Sequence, residues 1–250
     1  MKKRICAVLL VLAAAAVYGA NFSLSAGAGG IFGGFFTRYT LSADGTVDGD
    51  RIVINAAQEM NQLNYGFFIF FDATYGAFSV YYQNGANTFK ESYSIAGLDR
   101  EMPEGSGDGW DSYLGFSLMG KYPFVLNERL AVFPMLGLDY QVSLKQRRTQ
   151  PNGWVYDRDD GYRESDKDGE AYLLKDWNSL WINLGGGLDI GLHDNFFIRG
   201  EFLYSFRPMT PFEVKNLDMM KQLSGDPKPK LRGLTSGPSI RLSAGWRFFS

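Results

Sequence analysis

Residues 180–192 read LWINLGGGLDIGL, and this stretch decides the fold class. Apolar side chains alternate with small or polar residues along almost its whole length. The apolar positions are Leu180, Ile182, Leu184, Leu188, Ile190 and Leu192. A period of two is the side-chain repeat of a β-strand. The stretch exceeds a usual globular strand and fits a tilted strand that crosses a membrane, which needs about 9–11 residues.

Seven further segments show the same alternation, so the chain is predicted to contain eight strands. It is clear at 130–144 and 239–248. Weaker versions occupy roughly 22–37, 62–72, 77–89, 112–123 and 196–207.

The segments between these strands alternate between short and long. The short ones are 73–76, 124–129 and 193–195, and the long ones are 38–61, 90–111, 145–178 and 208–236. An even strand number with this asymmetry is typical of an up-and-down barrel of the outer-membrane type. We therefore predict an all-β, eight-stranded, antiparallel transmembrane barrel with long extracellular loops and both termini on the short-turn side.

The first residues have the composition of a secretory signal peptide. Lys2, Lys3 and Arg4 precede an apolar run at 5–17 that is too short to span a membrane as a helix. We assign 1–19 to the signal and 20–250 to the barrel. The signal carries the single cysteine, Cys6, and three cations, which leaves 22 basic against 27 acidic residues, or −5. Binding to nucleic acid is not expected of such a chain.

A soluble secreted or periplasmic barrel is the alternative, because it shows the same period with its apolar face inward, around a small apolar ligand. The polar face here is mostly Gly, Ser and Asn, which suits a confined interior. Its isolated charges are Lys121, Asp139, Asp189, Arg199, Glu201, Arg241 and Arg247. The interior of an eight-stranded barrel is just wide enough for side chains, so these charges are expected to form a plug in preference to a conduit.

The last strand, Ser243-Ala244-Gly245-Trp246-Arg247-Phe248-Phe249, resembles that of small outer-membrane barrels of the OmpA, OmpX and OmpW type. The resemblance implies outer-membrane lipid around the barrel, periplasmic termini and extracellular loops. It also implies that the barrel-assembly machinery recognises this strand through Ser243, Gly245, Phe248 and Phe249. Ser250 stands where a terminal aromatic residue is usual in those families.

The fourth long segment carries a helix signal. Thr210, Pro211 and Glu213 match a capping box with proline at the first helical position. The helix, over about 211–223, would place Phe212, Leu217, Met220 and Leu223 on one side. These residues would form a lid over the barrel mouth, or pack on the first loop at Ile52, Val53 and Ile54. The resemblance to OmpW-type barrels adds lateral passage of small apolar solutes as one use of such a mouth.

Catalysis is not predicted. The only histidine, His193, falls in a short turn with Asp194 and Asn195, on the side opposite the long loops. No cofactor is expected either. The acidic run at Glu164, Asp166 and Asp168 approaches a calcium loop, but Lys175 stands where a bidentate glutamate is needed. The sequence thus favours a non-enzymatic barrel whose loops mediate interaction with an extracellular ligand or gated passage of a small apolar solute.

Overall fold

The computed structural model describes residues 23–47, 50–96, 105–149, 155–158, 178–208, 226 and 228–249. These residues form ten strands. Their bounds are β1 Leu24–Val47, β2 Asp50–Ala73, β3 Gly76–Ala96, β4 Gly105–Lys121, β5 Phe124–Asn127, β6 Leu130–Thr149, β7 Val155–Arg158, β8 Ser179–Gly191, β9 Phe196–Arg207 and β10 Lys230–Phe249. No helix long and apolar enough to cross a membrane occurs in this part of the chain.

Eight strands close into a ring. The antiparallel order runs β4-β3-β2-β1-β10-β9-β8-β6, and β6 pairs back onto β4. The short strands β5 and β7 add to the two ends of β6. We call the end with the β2–β3, β5–β6 and β8–β9 connections the turn end, and the opposite end the loop end. The predicted eight-stranded up-and-down barrel is confirmed.

The register advances by ten residues in one circuit of the ring. The chain of paired residues runs from Phe78 through Leu118, Leu138, Ile182, Phe206, Ser236, Phe36 and Asn61 to Thr88, a shift of 88 − 78 = 10. With strands about 4.8 Å apart and ~3.3 Å per residue, this shift tilts the strands by about 40°. Each residue then covers about 2.5 Å of the barrel axis.

A belt of apolar side chains covers the outside of the barrel. On β8, Leu184 is exposed while its neighbour Asn183 is buried, as the alternation predicts. Exposed members on other strands include Phe36, Leu63, Phe67, Phe71, Leu118, Leu136, Phe202, Leu234, Leu242 and Trp246. From Leu180 to Leu192 the belt covers about 30 Å of the axis, the thickness of a hydrocarbon core. The outward apolar face does not match a soluble barrel.

Beyond the belt, towards the loop end, apolar residues face inward and polar residues face outward, the reverse of the pattern within the belt. The prediction of a loop at 38–61 is wrong. β1 and β2 continue through this segment to Val47 and Asp50. Here the outward residues are polar, such as Arg38, while Ala43 and Ile54 face inward and are buried. Water has replaced lipid outside the wall, so the polar face lies outward. The predicted loops at 90–111, 145–178 and 208–236 are likewise shortened by strand.

The wall is uneven at the loop end. β1 and β2 have 24 residues each and β3 has 21, whereas β8 has 13 and β9 has 12. β1 extends about 25–30 Å beyond the last belt residue, Phe36. Among the described residues, β1, β2 and β3 therefore project furthest and form what we call the tall wall, while β8 and β9 end lower, on what we call the low side.

Three predictions lie outside the described residues. They are the signal peptide at 1–19, the acidic run at Glu164, Asp166 and Asp168, and the lid at Phe212, Leu217, Met220 and Leu223.

Candidate functional site

Arg199 is the centre of a charged cluster inside the barrel near the turn end. Its guanidinium group donates two hydrogen bonds to Asp189, from Nε at 2.6 Å and from Nη2 at 2.8 Å. Nη2 also donates to Asp72 at 2.6 Å, and Nη1 lies 3.9 Å from Glu201. The side chain of Arg199 is only 2% exposed. Strands β2, β8 and β9 are thus joined through one buried cation.

Lys121 extends this cluster to β4. Its Nζ lies 2.5 Å from Oδ2 of Asp72, the oxygen that also accepts from Arg199. One carboxylate therefore pairs with two cations, one from β4 and one from β9. Since an unpaired buried charge is strongly destabilising, this sharing keeps both cations compatible with burial.

Phenylalanine rings surround the guanidinium group of Arg199. Its Cζ lies 5.2 Å from the ring centres of Phe70 and Phe197, and 5.0 Å from that of Phe133. Cζ of Arg247, a half-buried residue, lies 5.1 Å from the centre of the same Phe197 ring. These distances are within the range of cation–π attraction. The rings also occupy the space between the charges.

A second charged group lies one layer closer to the loop end. Arg241 on β10 donates to Asp139 on β6 at 3.1 Å. The hydroxyl of Tyr81 donates to the same carboxylate oxygen at 3.2 Å and accepts from Gln141 at 3.1 Å. Three further sides of the ring, β3, β6 and β10, are connected in this way.

The two groups form what we call the ion plug. It consists of Asp72, Lys121, Asp139, Asp189, Arg199, Glu201 and Arg241. The plug contains three cations and four carboxylates. With Arg247, which lies beside it at the turn end, the net charge of the group is zero. Together with Phe70, Phe133 and Phe197, the plug fills the cross-section that an eight-stranded barrel offers. The arrangement fits closure of the lumen.

All seven charged residues that the sequence assigned to the interior lie in or beside this plug.

The sequence analysis did not select Asp72, Tyr81 or the three phenylalanines. The alternation along their strands could have identified them as interior residues. Phe68, Phe70 and Asp72 share one face of β2, and all three are buried. In the continuous apolar run 67–71, period two is hidden because aromatic residues occupy both faces.

Towards the loop end most buried polar residues are uncharged, and the buried carboxylate of Asp111 accepts a hydrogen bond from Asn87 at 2.9 Å. Gln62 donates to Asn64 at 2.7 Å, and Ser205 donates to Asn183 at 2.6 Å. Trp181 donates from its indole nitrogen to Gln141 at 2.9 Å. Amide and hydroxyl groups, with the Asp111 carboxylate among them, therefore line the interior between the ion plug and the mouth.

A cluster on the low side of the wall joins β9 to β1 and β10. Arg207 donates to the hydroxyl of Tyr39 at 2.8 Å and to Thr235 at 3.1 Å. Its guanidinium lies 5.6 Å from the ring of Trp181, which packs on Phe35 with centroids 4.3 Å apart. This cluster supports the tall wall where β9 ends.

Exposed ion pairs hold the tall wall on its outer side. Arg51 and Asp44 are 2.6 Å apart, and this contact raises the pKa of Arg51 and lowers the pKa of Asp44. Asp226 accepts from the amides of Asp44, at 2.9 Å, and Lys228, at 2.7 Å. These backbone donors lower the pKa of the Asp226 carboxyl. The start of β10 is thereby tied to the tip of the β1–β2 hairpin.

The residues assigned to the assembly signal divide between the two faces of β10. Ser243 is buried and Phe248 is exposed in the belt. Gly245 faces inward, where an added Cβ would come 2.5 Å from the Phe197 ring and 2.9 Å from the Phe70 ring. Phe249 pairs with Leu24 at the turn end. Gly245 therefore has a packing role, and recognition by the assembly machinery stays a prediction.

His193 lies in the exposed turn between β8 and β9 at the turn end. Its backbone amide donates to the carbonyl of Phe196, and its carbonyl accepts from the Phe196 amide. These two backbone hydrogen bonds close the turn, and the absence of catalysis at His193 stays a prediction.

Solved structures with a similar fold can be found. The attachment invasion locus protein Ail of Yersinia pestis, crystallised with the heparin analogue sucrose octasulfate, is 15% identical, with 89% of this chain and 99% of that chain covered and a TM-score of 0.29. Neisserial surface protein A is 13% identical (91% and 96% covered, TM-score 0.35). The outer membrane protein OprG of Pseudomonas aeruginosa is also 13% identical (90% and 97%, 0.36).

No protein-family profile matches the chain, and no curated protein is detectably similar. The low identities and TM-scores of these solved structures say nothing about what this chain binds. The assignment as a transmembrane barrel rests on its own closed strand order and apolar belt.

Proposed function

We propose that this chain is a non-enzymatic bacterial outer-membrane barrel that acts through its tall wall, as a surface-interaction protein, and does not conduct solutes along its axis. The observation that carries the proposal is the contrast between the two ends. The ion plug fills the turn half, while β1, β2 and β3 continue far beyond the belt. In the proposed orientation the tall wall is extracellular and the turn end periplasmic.

The alternative of gated passage of small apolar solutes along the barrel axis receives less support. A solute that moved along the axis would have to displace Arg199 from two carboxylates and three aromatic rings. Removing such a cation from its partners leaves buried charges, at a cost of about 3–5 kcal/mol or more. An axial route is therefore closed in the resting barrel.

The experiment replaces the tip of the tall wall and keeps the rest. Thr40 and Ala57 are directly paired, so residues 41–56 can be exchanged for an Asn-Gly turn without a change of register. The shortened protein is expected to insert and to retain heat-modifiable gel mobility. Cells that display it should lose attachment to a eukaryotic cell monolayer and to each other, relative to cells that display the full chain.

Two results would contradict the proposal. One is full attachment by the shortened protein. The other is recovery of the folded, full-length chain in buffer without detergent, which would exclude a membrane location. His193→Ala supplies a matched control at the turn end, and it should change neither attachment nor the lipid composition of the host cells.

A further inference from the structure

The outer surface just above the apolar belt is positively charged on one side of the barrel. Four cations at the loop end form what we call the rim patch: Arg38 on β1, Lys90 on β3, and Lys230 and Arg232 on β10. All four are exposed on the outer face. We propose that the rim patch binds the phosphate groups of anionic lipid in the adjoining leaflet. This inference rests on the membrane location proposed above.

The pairing register brings these side chains together. Leu234, Arg38, Glu59 and Lys90 are consecutive cross-strand partners and so lie in one row. Arg232 is the next outward residue after Leu234 on β10, diagonal to Arg38. Diagonal neighbours on a sheet lie about 7–8 Å apart, which allows two cations to contact one phosphate group.

The patch begins where the belt ends. Phe36 is 60% exposed and Leu234 is 54% exposed, and in a membrane lipid chains cover both. Arg38 and Arg232 are the next outward residues on the same strands, about 5 Å further along the axis. That is the level of the head groups, where long basic side chains keep their stems on apolar surface and their charges in the polar layer.

The charge of the patch opposes that of the chain. Two acids adjoin its four cations: Glu59, which lies 3.3 Å from Arg38, and Asp226, whose carboxyl interacts electrostatically with Lys230. The patch thus has a net charge of +2, whereas the exported chain has −5. Both partners of the Arg38–Glu59 ion pair are largely exposed, at 78% and 57%, so Arg38 is accessible to a lipid phosphate.

Among the described residues, the short connections at the turn end have no surplus of positive charge. Their exposed charges are Glu128, Arg129 and Asp194, with a net of −1. The two rims of the belt therefore differ in sign, and anionic lipid is expected to collect at the loop end. Each basic residue near a membrane surface contributes up to about a fivefold preference for anionic lipid.

The test uses the full-length chain in nanodiscs and native mass spectrometry. We expect the first phosphatidylglycerol molecule to bind about tenfold more tightly than the first phosphatidylcholine. The double variant Lys230→Gln/Arg232→Gln should bring this ratio close to one, and Lys230→Glu/Arg232→Glu should invert it. Arg129→Gln, at the other rim, is the matched control and should leave the ratio unchanged. All these side chains are exposed, so the barrel should fold in each case.

Three outcomes would overturn the inference. The ratio could be insensitive to the double variants, or Arg129→Gln could lower it equally. A patch-dependent complex with dextran sulfate, without any preference for phosphatidylglycerol, would show that the patch takes a polyanionic saccharide. Flotation of the reconstituted protein separates the two proposals: failure to float contradicts the membrane location, and flotation without lipid preference contradicts only the rim patch.

Discussion

Two arginine–aspartate pairs with the same shortest distance lie in the two halves of the barrel. Arg199 and Asp189 approach to 2.6 Å in the ion plug, with side chains 2% and 10% exposed. Arg51 and Asp44 also approach to 2.6 Å, at the tip of the tall wall, with side chains 73% and 54% exposed. An exposed pair contributes about 0–1 kcal/mol, whereas breaking a buried pair costs about 3–5 kcal/mol. The difference in stabilisation between the two pairs therefore comes from their burial and not from the contact distance.

The largest expected effect comes from breaking the buried pair. Arg199→Met leaves Asp72 and Asp189 without their shared cation, and the free energy of unfolding should fall by about 3–5 kcal/mol. Arg51→Met removes the same interaction from the exposed pair and should cost under about 1 kcal/mol. Equilibrium urea unfolding in detergent, followed by gel mobility, measures both. Equal losses would remove the distinction between the halves.

The second group of the ion plug allows a double-mutant cycle. Arg241→Met should cost about 3 kcal/mol, because Asp139 is left as a buried carboxylate. The double variant Arg241→Met/Asp139→Leu should be more stable than the sum of the two single losses predicts, by at least about 1.5 kcal/mol. Simple additivity would show that the two side chains do not act as a pair.

Glycines on the two faces of the wall give a smaller contrast. Gly245→Ala places a methyl group against the rings of Phe197 and Phe70, and overpacking should cost about 1–3 kcal/mol. Gly30→Ala meets only the carbonyl of Gly66 at 3.8 Å, on the lipid side, and should be nearly neutral. The unfolding free energies of the two variants compare inner and outer packing directly. A neutral Gly245→Ala would mean that the plug is loosely packed.

The smallest expected effect depends on pH at the tip of the tall wall. The pKa of Asp226 is lowered from 3.8 by the amides of Asp44 and Lys228, so the contact is fully present above pH 3.8. It is lost as the pH falls through the lower native pKa, when the carboxyl is protonated. The Asp44 amide proton should shift in an NMR titration over this window, while the barrel stays folded. In Asp226→Asn the shift should vanish, and its persistence would assign it to another group.

Where lipid lies outside the wall, the sequence predicts the structure well. The alternation at 180–192 places Leu184 outward and Asn183 inward because lipid and a packed polar interior impose opposite demands on the two faces. The interior charges follow from the same rule, and Asp72 could have been found from it. What the sequence does not show is which charges meet, because Arg199 and Asp72 are 127 residues apart.

Prediction fails where the surroundings change. Beyond Phe36 the same strand enters water, its apolar residues turn inward, and the turn-forming Asp44-Gly45 sits inside β1. A segment whose apolar and polar positions are exchanged, and which contains turn-forming residues, has the sequence pattern of a loop. The sequence therefore predicts a loop where the structure has the tall wall. The strand continues because its neighbours on β2 and β10 keep pairing with it across this segment.

We propose that the ion plug closes the barrel while the tall wall acts outside it. Planar-bilayer recording of the full-length chain, with insertion verified by flotation of the same preparation, tests it most directly. We expect no conductance steps in molar KCl, because Arg199 and its partners fill the cross-section at the turn end. A steady, ohmic conductance of the inserted wild-type barrel would contradict it.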